Sequence, residues 1–417
     1  MRPISPVLRS QVYSILYGAI ALFLVCSLIL YPEQAFQSSL KGLKIWWEIV
    51  FPALLPFFIA SEILIGFGVV HFLGVLLEPL MRPLFRVPGV GAFVLAMGLA
   101  SGYPIGAKLT ARLREDGLIS RTEGERLVSF TNTADPLFMF GAVAVGFFHD
   151  VSLGVILVVA HYVASLLLGI LMRFHEPNGP STPPPPADSS FFLIRGLRAM
   201  HRARLADGRG FGQLMGDAIS TSIKTLLIIG GFIIMFSVVI EVLGRIGITN
   251  LLIAAISPLL LAIGIPTELS ASVIAGLFEI TLGAQVASQV PAHVDISYKM
   301  AIVSAVIAWS GFSVHAQVAN ILSKTDIRYG PYCIARLIHG VLAGWITFIA
   351  WEPIQHYLVS SKMTTLPVFL RALPAPEWSE WSIRIHWGWC ILLLLGLLTL
   401  TATLWERIKN RYFKDSL

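Results

Sequence analysis

The chain has 417 residues, of which 56% are apolar and only 13% charged, and its mean hydropathy is +0.77. A soluble domain is roughly 45–50% apolar and about 25% charged, so these proportions exclude a disordered chain, a disulfide-stapled secreted domain and an ordinary cytosolic enzyme; they fit apolar helices in a lipid bilayer. The net charge of +6 implies no nucleic acid, because cytoplasmic loops of membrane proteins retain basic residues. Cys26, Cys333 and Cys390 are too far apart in sequence for a local metal site; they read as small core residues, and no metal is expected.

A spanning helix needs about 20 apolar residues. The first such run, residues 12–31, shows no cleavage site before Pro32 and reads as a retained anchor. Apolar runs follow at 45–70, 72–85, 89–107, 130–148 and 151–172. Residues 173–212 are polar, with the prolines of 183–186 and with Arg195, Arg198, Arg202, Arg204 and Arg209, and they read as a linker. Apolar runs return at 219–243, 251–265, 269–290, 300–322, 331–351 and 383–405. The expected divisions are an anchor (1–38), a first repeat (39–172), the linker (173–212), a second repeat (213–358), and a C-terminal loop, helix and basic tail (359–417).

The linker, the tail and the loop 108–126 are the most basic connections and are placed in the cytoplasm. Both termini then fall inside, if 72–107 and 251–290 each enter and leave as a pair. Their short runs favour re-entrant hairpins. The fold class expected is an all-α polytopic protein of a bacterial inner membrane.

The two halves share an order of elements. Setting Pro79 against Pro258, and Gly98-Leu99 against Gly276-Leu277, places Ser101-Gly102-Tyr103 opposite Glu279-Ile280-Thr281. The two copies have opposite orientations in this topology. Inverted repeats with broken helices recur in secondary transporters, whose substrate site lies near the midplane.

Polar residues inside these runs are the candidate site. Pro52 and Pro56 each remove a backbone donor and are expected to break or kink their helix. Ser101, Gly102, Tyr103 and Pro104 form a second break between closely spaced glycines, ending at Lys108; the spacing is not that of a P-loop. Glu279, with Thr281 and Gln285 beside it, is a carboxylate inside an apolar run and needs a partner or a proton. Asn132, Thr133 and Asp135 before Pro136 read as the cap of a half-helix whose positive end faces an anion. Ser310, Ser313 and Gln317 share one helical face, with His315 off it. Plain kinks, packing glycines, surface capping and a structural histidine stay open as readings of these features; Glu62 and Glu241 are weaker candidates.

The runs Phe51-Pro52-Ala53-Leu54-Leu55-Pro56-Phe57-Phe58, Ser101-Gly102-Tyr103-Pro104-Ile105-Gly106-Ala107, Asn132-Thr133-Ala134-Asp135-Pro136 and Trp309-Ser310-Gly311-Phe312-Ser313-Val314-His315-Ala316-Gln317 resemble the YlbJ-type family of sporulation integral membrane proteins, in the nucleoside-recognition (Gate) group. The resemblance covers residues 40–351. It implies an endospore former, two Gate-type repeats distantly similar to those of concentrative nucleoside transporters, and movement of dipicolinic acid from the mother cell across the outer forespore membrane. Dipicolinate is a planar dianion that suits helix amino termini, whereas Glu279 and Asp135 suit it only when protonated or paired with a cation.

The expected function is a secondary or facilitative carrier in the lipid bilayer for a small organic anion, with no cofactor and with a proton or Na+ left open as coupling ion. A nucleoside-like solute and a non-transporting envelope scaffold are the alternatives, and a homo-oligomer stays open. An enzyme is not expected: Ser313 and His315 do not face each other on a helix, and His175-Glu176 lacks the second histidine of a zinc-protease motif.

Overall fold

The computed structural model describes residues 15–183, without 16, 17, 20 and 24, and residues 192–360. The expected span 383–405 and basic tail lie outside the described residues, as does part of the expected span 12–31. Among the described residues the chain is helical, and five helices are long and apolar enough to cross a membrane: Pro32–Gly66, Ser152–Met172, Phe211–Arg245, Ile296–Leu322 and Tyr329–His356.

The first of these, α1 (Pro32–Gly66), corrects the expectation of breaks at Pro52 and Pro56, and the boundary expected after residue 38 falls within it. A π turn over Trp46–Val50, closed by the Phe51 N–H on Trp46 O, rewinds the helix just ahead of Pro52. Local rewinding accommodates a missing donor without interrupting the rod.

After α1 comes α2 (Val69–Leu80), extended by a π turn over Met81–Phe85. The re-entrant elements are α3 (Gly91–Ser101) and α4 (Ile105–Glu115). A broken span follows, α5 (Arg121–Thr131) and α6 (Phe138–Phe147), the latter wound as a π helix, and then the unbroken α7 (Ser152–Met172).

The segment expected to be a linker contains α8 (Phe192–Asp207). It packs on α2: Gly196 lies against Phe72, Met200 against Gly68, and Arg195 pairs with Glu78 at 2.7 Å. The proline run ends before it, and Gly196, Met200 and Ala203 then form a stripe at helical spacing. The basic loop expected over 108–126 is largely α4 and α5. A capping box of Ser120 and Glu123 starts α5, and Glu125 and Arg126 are buried.

The second copy repeats the order: α9 (Phe211–Arg245), α10 (Ile248–Ala262), α11 (Ser270–Phe278) and α12 (Ile280–Ser288), α13 (Ile296–Trp309) and α14 (Gly311–Leu322), then α15 (Tyr329–Ser360). Its α9 runs antiparallel to α1: Gly66 packs on Leu214 near the start of α9, Trp46 Nε1 donates to Leu226 O at 2.8 Å, and Ala35 clusters with Val238 and Val242 near its end. The duplication is visible in detail. Both α2 and α10 follow a left-handed glycine, Gly68 or Gly247, and each carries a proline as its eleventh residue, counting Val69 to Pro79 and Ile248 to Pro258.

Arms of eleven residues in the first hairpin and nine in the second, at about 1.5 Å each, reach roughly 16 and 14 Å, about half the hydrocarbon thickness of about 30 Å. The hairpins are therefore re-entrant, but their pairing differs from the expected 72–85 with 89–107 and 251–265 with 269–290. Each chain reversal falls at the break, between α3 and α4 and between α11 and α12, because the broken helix is where the backbone is free to turn.

Ion pairs show which way each hairpin opens. Arg126 Nη1 donates to Arg86 O at the start of the first hairpin, and Arg114 at its end pairs with Asp326 at 2.7 Å, beside Arg328 on Glu125 at 2.7 Å. Both ends of this hairpin thus lie on one ion-paired face. The second hairpin is closed at its ends by Glu268 with His293, 3.4 Å apart, and α7 and α13 start on that opposite face. The two hairpins enter from opposite faces, which is the inverted repeat in three dimensions.

Candidate functional site

The first tip is made by Gly102, Tyr103 and Pro104. Gly102 adopts φ +70°, a region other residues resist, and Pro104 supplies no N–H, so α3 ends and α4 starts afresh. The tip closes on the break of its own broken span. A Cβ on Gly98 or Gly106 would run into the Thr131 carbonyl oxygen, and one on Gly102 into the Asp135 carboxylate. The glycines flanking the tip thus serve close approach. Asn132 Oδ1 accepts the Ala107 N–H at 3.3 Å and Thr133 Oγ1 donates to Gly98 O at 3.4 Å.

That second break, 132–135, is fully inside the protein: Asn132 and Thr133 are 0% exposed and Asp135 5%. The expected capped half-helix is present, since Asp135 Oδ1 accepts the Phe138 N–H at 2.8 Å and Pro136 opens the next turn. It lies about 16 Å along α5 from the ion-paired face, at midplane depth rather than at a surface.

In the second copy Glu279 is itself the hairpin turn. The sequence placed it within a helix; the structure places it between α11 and α12 in extended backbone, φ −150° and ψ 128°, where its side chain caps α12. Its partners are the Leu282 N–H at 2.9 Å and the Thr281 hydroxyl at 3.1 Å, and it is 5% exposed. Gln285 is half-buried two turns on. The α11 and α12 arms meet closely enough that a Cβ on Gly283 would stand 2.5 Å from Gly276 Cα.

Ser310 does not share a helical face with Ser313 and Gln317, because the expected continuous span 300–322 is interrupted there. Ser310 has φ +77° and Gly311 φ +68°, two left-handed residues in succession, and Gly311 lies against Glu279. The freed Trp309 carbonyl is taken by Ser310 Oγ and by His315 Nε2 at 3.0 Å. Donation from Nε2 leaves His315 Nδ1 as the acceptor for the Tyr329 hydroxyl at 2.6 Å, so His315 is a structural bracket within the second copy. Ser313 is buried on α14, and Gln317 bonds Ser313 O at 3.2 Å. Glu241 pairs with Arg245 on the surface of α9.

The copies interlock at these breaks. Tyr103 donates to Ile307 O at 3.0 Å, Asn132 Nδ2 donates to the Tyr332 hydroxyl at 2.9 Å, and Ala134, Ile280, Leu282 and Ile307 belong to one apolar core. The structure therefore brings Ser101 to Pro104, Asn132 to Asp135, Glu279, Thr281 and Ser310 to the middle of one core; Pro52 and Pro56 stay on the outer rod α1. Sequence reasoning missed Arg336, Tyr332, His339 and His161, all buried in α15 and α7. An arginine three residues before a histidine inside the apolar run 331–351 was the available signal.

A family model described as Gate, nucleoside recognition, matches residues 47–173, most of the first copy. The sporulation integral membrane protein YlbJ of Bacillus subtilis (strain 168) is 49% identical over 394 residues, covering 93% of this chain and 93% of that protein. Among solved structures, CNTnw in an inward-facing substrate-bound state is 12% identical, over 84% of this chain and 87% of that one, with a TM-score of 0.46. A double variant of CNTnw in an outward-facing state is 13% identical over 85% and 88%, with a TM-score of 0.43. The chain belongs to the YlbJ family of sporulation integral membrane proteins.

Proposed function

We propose that this member of the YlbJ family is a carrier, and not an enzyme, that moves a small organic solute across the membrane through the region where the two hairpin tips meet the two broken spans. One observation carries the reading: re-entrant hairpins from opposite faces end at half depth against helix breaks, which concentrates helix ends and polar side chains where lipid would otherwise exclude them. Solute would engage Ser101, Tyr103, Asn132, Glu279 and Ser310, and the tips would move against the spans to expose it to either side in turn.

The solute we favour is dipicolinate, passing from mother cell toward forespore, with the ion-paired face cytoplasmic because its connections are the most basic. The amino-terminal ends of α6 and α12 supply the partial positive charge a carboxylate needs, although Asp135 and Glu279 already cap them. That occupancy supports a second reading, a neutral nucleoside-like solute whose hydroxyls donate to the two carboxylates.

Uptake of labelled dipicolinate and of labelled nucleosides into vesicles holding the purified full chain separates these readings. Saturable dipicolinate uptake lost in Asn132→Ala supports the first, and nucleoside uptake lost in Glu279→Gln supports the second. No uptake of any candidate, with the protein folded, would refute the carrier and favour an envelope scaffold.

A further inference from the structure

Arg336 is fully buried, in a stretch of α15 that reads from sequence as plain membrane span. Its guanidinium donates from Nη1 to Asn132 O at 2.9 Å and from Nη2 to Ser129 O at 2.5 Å, both at the C-terminal end of α5. No carboxylate pairs with it among the described residues. Tyr332, one turn earlier on α15, lies under the guanidinium at 5.7 Å and holds the Asn132 side chain, and the Tyr103 hydroxyl lies beside the same charge.

A helix that stops inside a bilayer leaves carbonyls and the negative end of its dipole without partners. A lone buried guanidinium is equally unfavourable there. Here each compensates the other. Three more carbonyls of the last α5 turns accept hydrogen bonds, Leu127 O from Thr131 Oγ1 at 2.7 Å, Val128 O from the Asn132 N–H and Phe130 O from Ser165 Oγ at 2.6 Å, while Thr131 O is covered by Gly98 and Gly106 without a hydrogen bond among the described residues.

We infer that Arg336 is a tethered cation: from the second copy it fixes the break of the first in the shape that the hairpin tip closes on, and this break therefore takes no exchangeable Na+ or other free cation. Arg336 is a positioning residue, since its contacts run to backbone and not to a solute. The inference deepens the carrier reading by removing one place for a coupling ion, and it rests on that reading only for the consequence for flux.

The test uses the purified full chain, with thermal unfolding followed in matched sodium, potassium and N-methylglucamine salts. The wild type should unfold at the same temperature in all three. Arg336→Lys should stay close to the wild type, and Arg336→Ala should unfold at a lower temperature and recover with millimolar guanidinium or sodium, neither of which raises the wild type. A purely packing role would give no cation-specific recovery. A sodium-specific rise in the wild type would overturn the inference even if Arg336→Ala failed to fold, and so would a folded Arg336→Ala indifferent to every cation. Absence of vesicle uptake in any salt counts against the carrier alone and leaves the melting result to decide this inference.

Discussion

In the first hairpin the turn is made by Gly102, Tyr103 and Pro104, and the nearest carboxylate, Asp135, is supplied by the span it meets; in the second the turn is Glu279 itself, and the span opposite offers Ser310 and Gly311. Each copy thus contributes one buried carboxylate, and each carboxylate caps a half-helix, but they sit on opposite members of the hairpin–span pair. The bracing differs as well. Arg336 and Tyr332 tie the first break to the second copy, whereas the tie in return, among the described residues, is the hydrogen bond from Tyr103 to Ile307 O. On the carrier reading proposed above, the first break is the fixed half of the centre and the tip bearing Glu279 is the half that responds to solute.

The sharpest way to break this contrast is to neutralise each carboxylate in turn. Glu279→Gln keeps an acceptor for the Leu282 N–H but removes the ionisable group, and under the nucleoside reading uptake should fall about a hundredfold, the size of losing roughly 3 kcal/mol in the transition state, while the protein stays folded. Asp135→Asn should instead act mainly on stability, by about 0.5–2 kcal/mol as a weakened helix cap. Uptake assays normalised to folded protein check both, and a transport defect in Asp135→Asn larger than that of Glu279→Gln would reverse the assignment of fixed and responsive halves.

Close approach at the fixed half gives the next effect. In Gly98→Ala the new methyl group meets the Thr131 carbonyl, and overpacking of this kind costs about 1–3 kcal/mol. Gly231→Ala on α9 meets nothing within 4 Å and should be neutral or stabilising by up to about 1 kcal/mol through helix propensity. Thermal unfolding in one detergent reads both. Smaller again is Tyr103→Phe, which removes one hydrogen bond between the copies and should cost about 0.5–1.5 kcal/mol with a modest change in uptake.

The sequence carried the large architecture because its signals there are summed over many residues: apolar runs long enough to span, the paired Pro79 and Pro258, and the recurrence of Gly98-Leu99 as Gly276-Leu277. It marked the polar residues that lie at the helix breaks, because lipid makes polar side chains expensive. It failed where geometry is cooperative. Pro52 reads as a break, and a π turn ahead of it removes the need for one. Ser310 and Ser313 read as one face, and two consecutive left-handed residues separate them. Residues 108–126 read as a solvated basic loop because charges look solvated singly, whereas Glu125, Arg126 and Glu123 are buried against partners forty or more residues away, such as His175, Thr182 and Arg86.

The ion-paired face offers the smallest effect and the clearest sign. Arg328, on the loop before α15, donates from Nε and Nη2 to Glu125 at 2.7 and 2.8 Å and from Nη2 to Glu176 at 2.5 Å, so it joins the second copy to the start of α5 and to the segment after α7. The Arg328 hydrogen bond, helped by the Thr122 hydroxyl, holds the Glu176 carboxyl down at about 2 from an ordinary 4.5. A carboxylate whose pKa is depressed by folding stabilises the fold above its unfolded value and loses that contribution as pH falls through the folded one. Wild type and Glu176→Gln should therefore unfold at different temperatures at pH 7, keep that difference down to about pH 4.5, and converge toward pH 2. The difference should also shrink in high salt, because the pair is partly solvated. Arg328→Gln should cost more than Glu176→Gln, since it also takes the nearest cation from Glu125, whose side chain is 0% exposed, and leaves it only Arg121 at 3.8 Å and His175. Equal losses in the two variants would mean that His175, 2.6 Å from the other oxygen of Glu125, holds that carboxylate without Arg328, and that the copies are joined at their broken helices and not at this face.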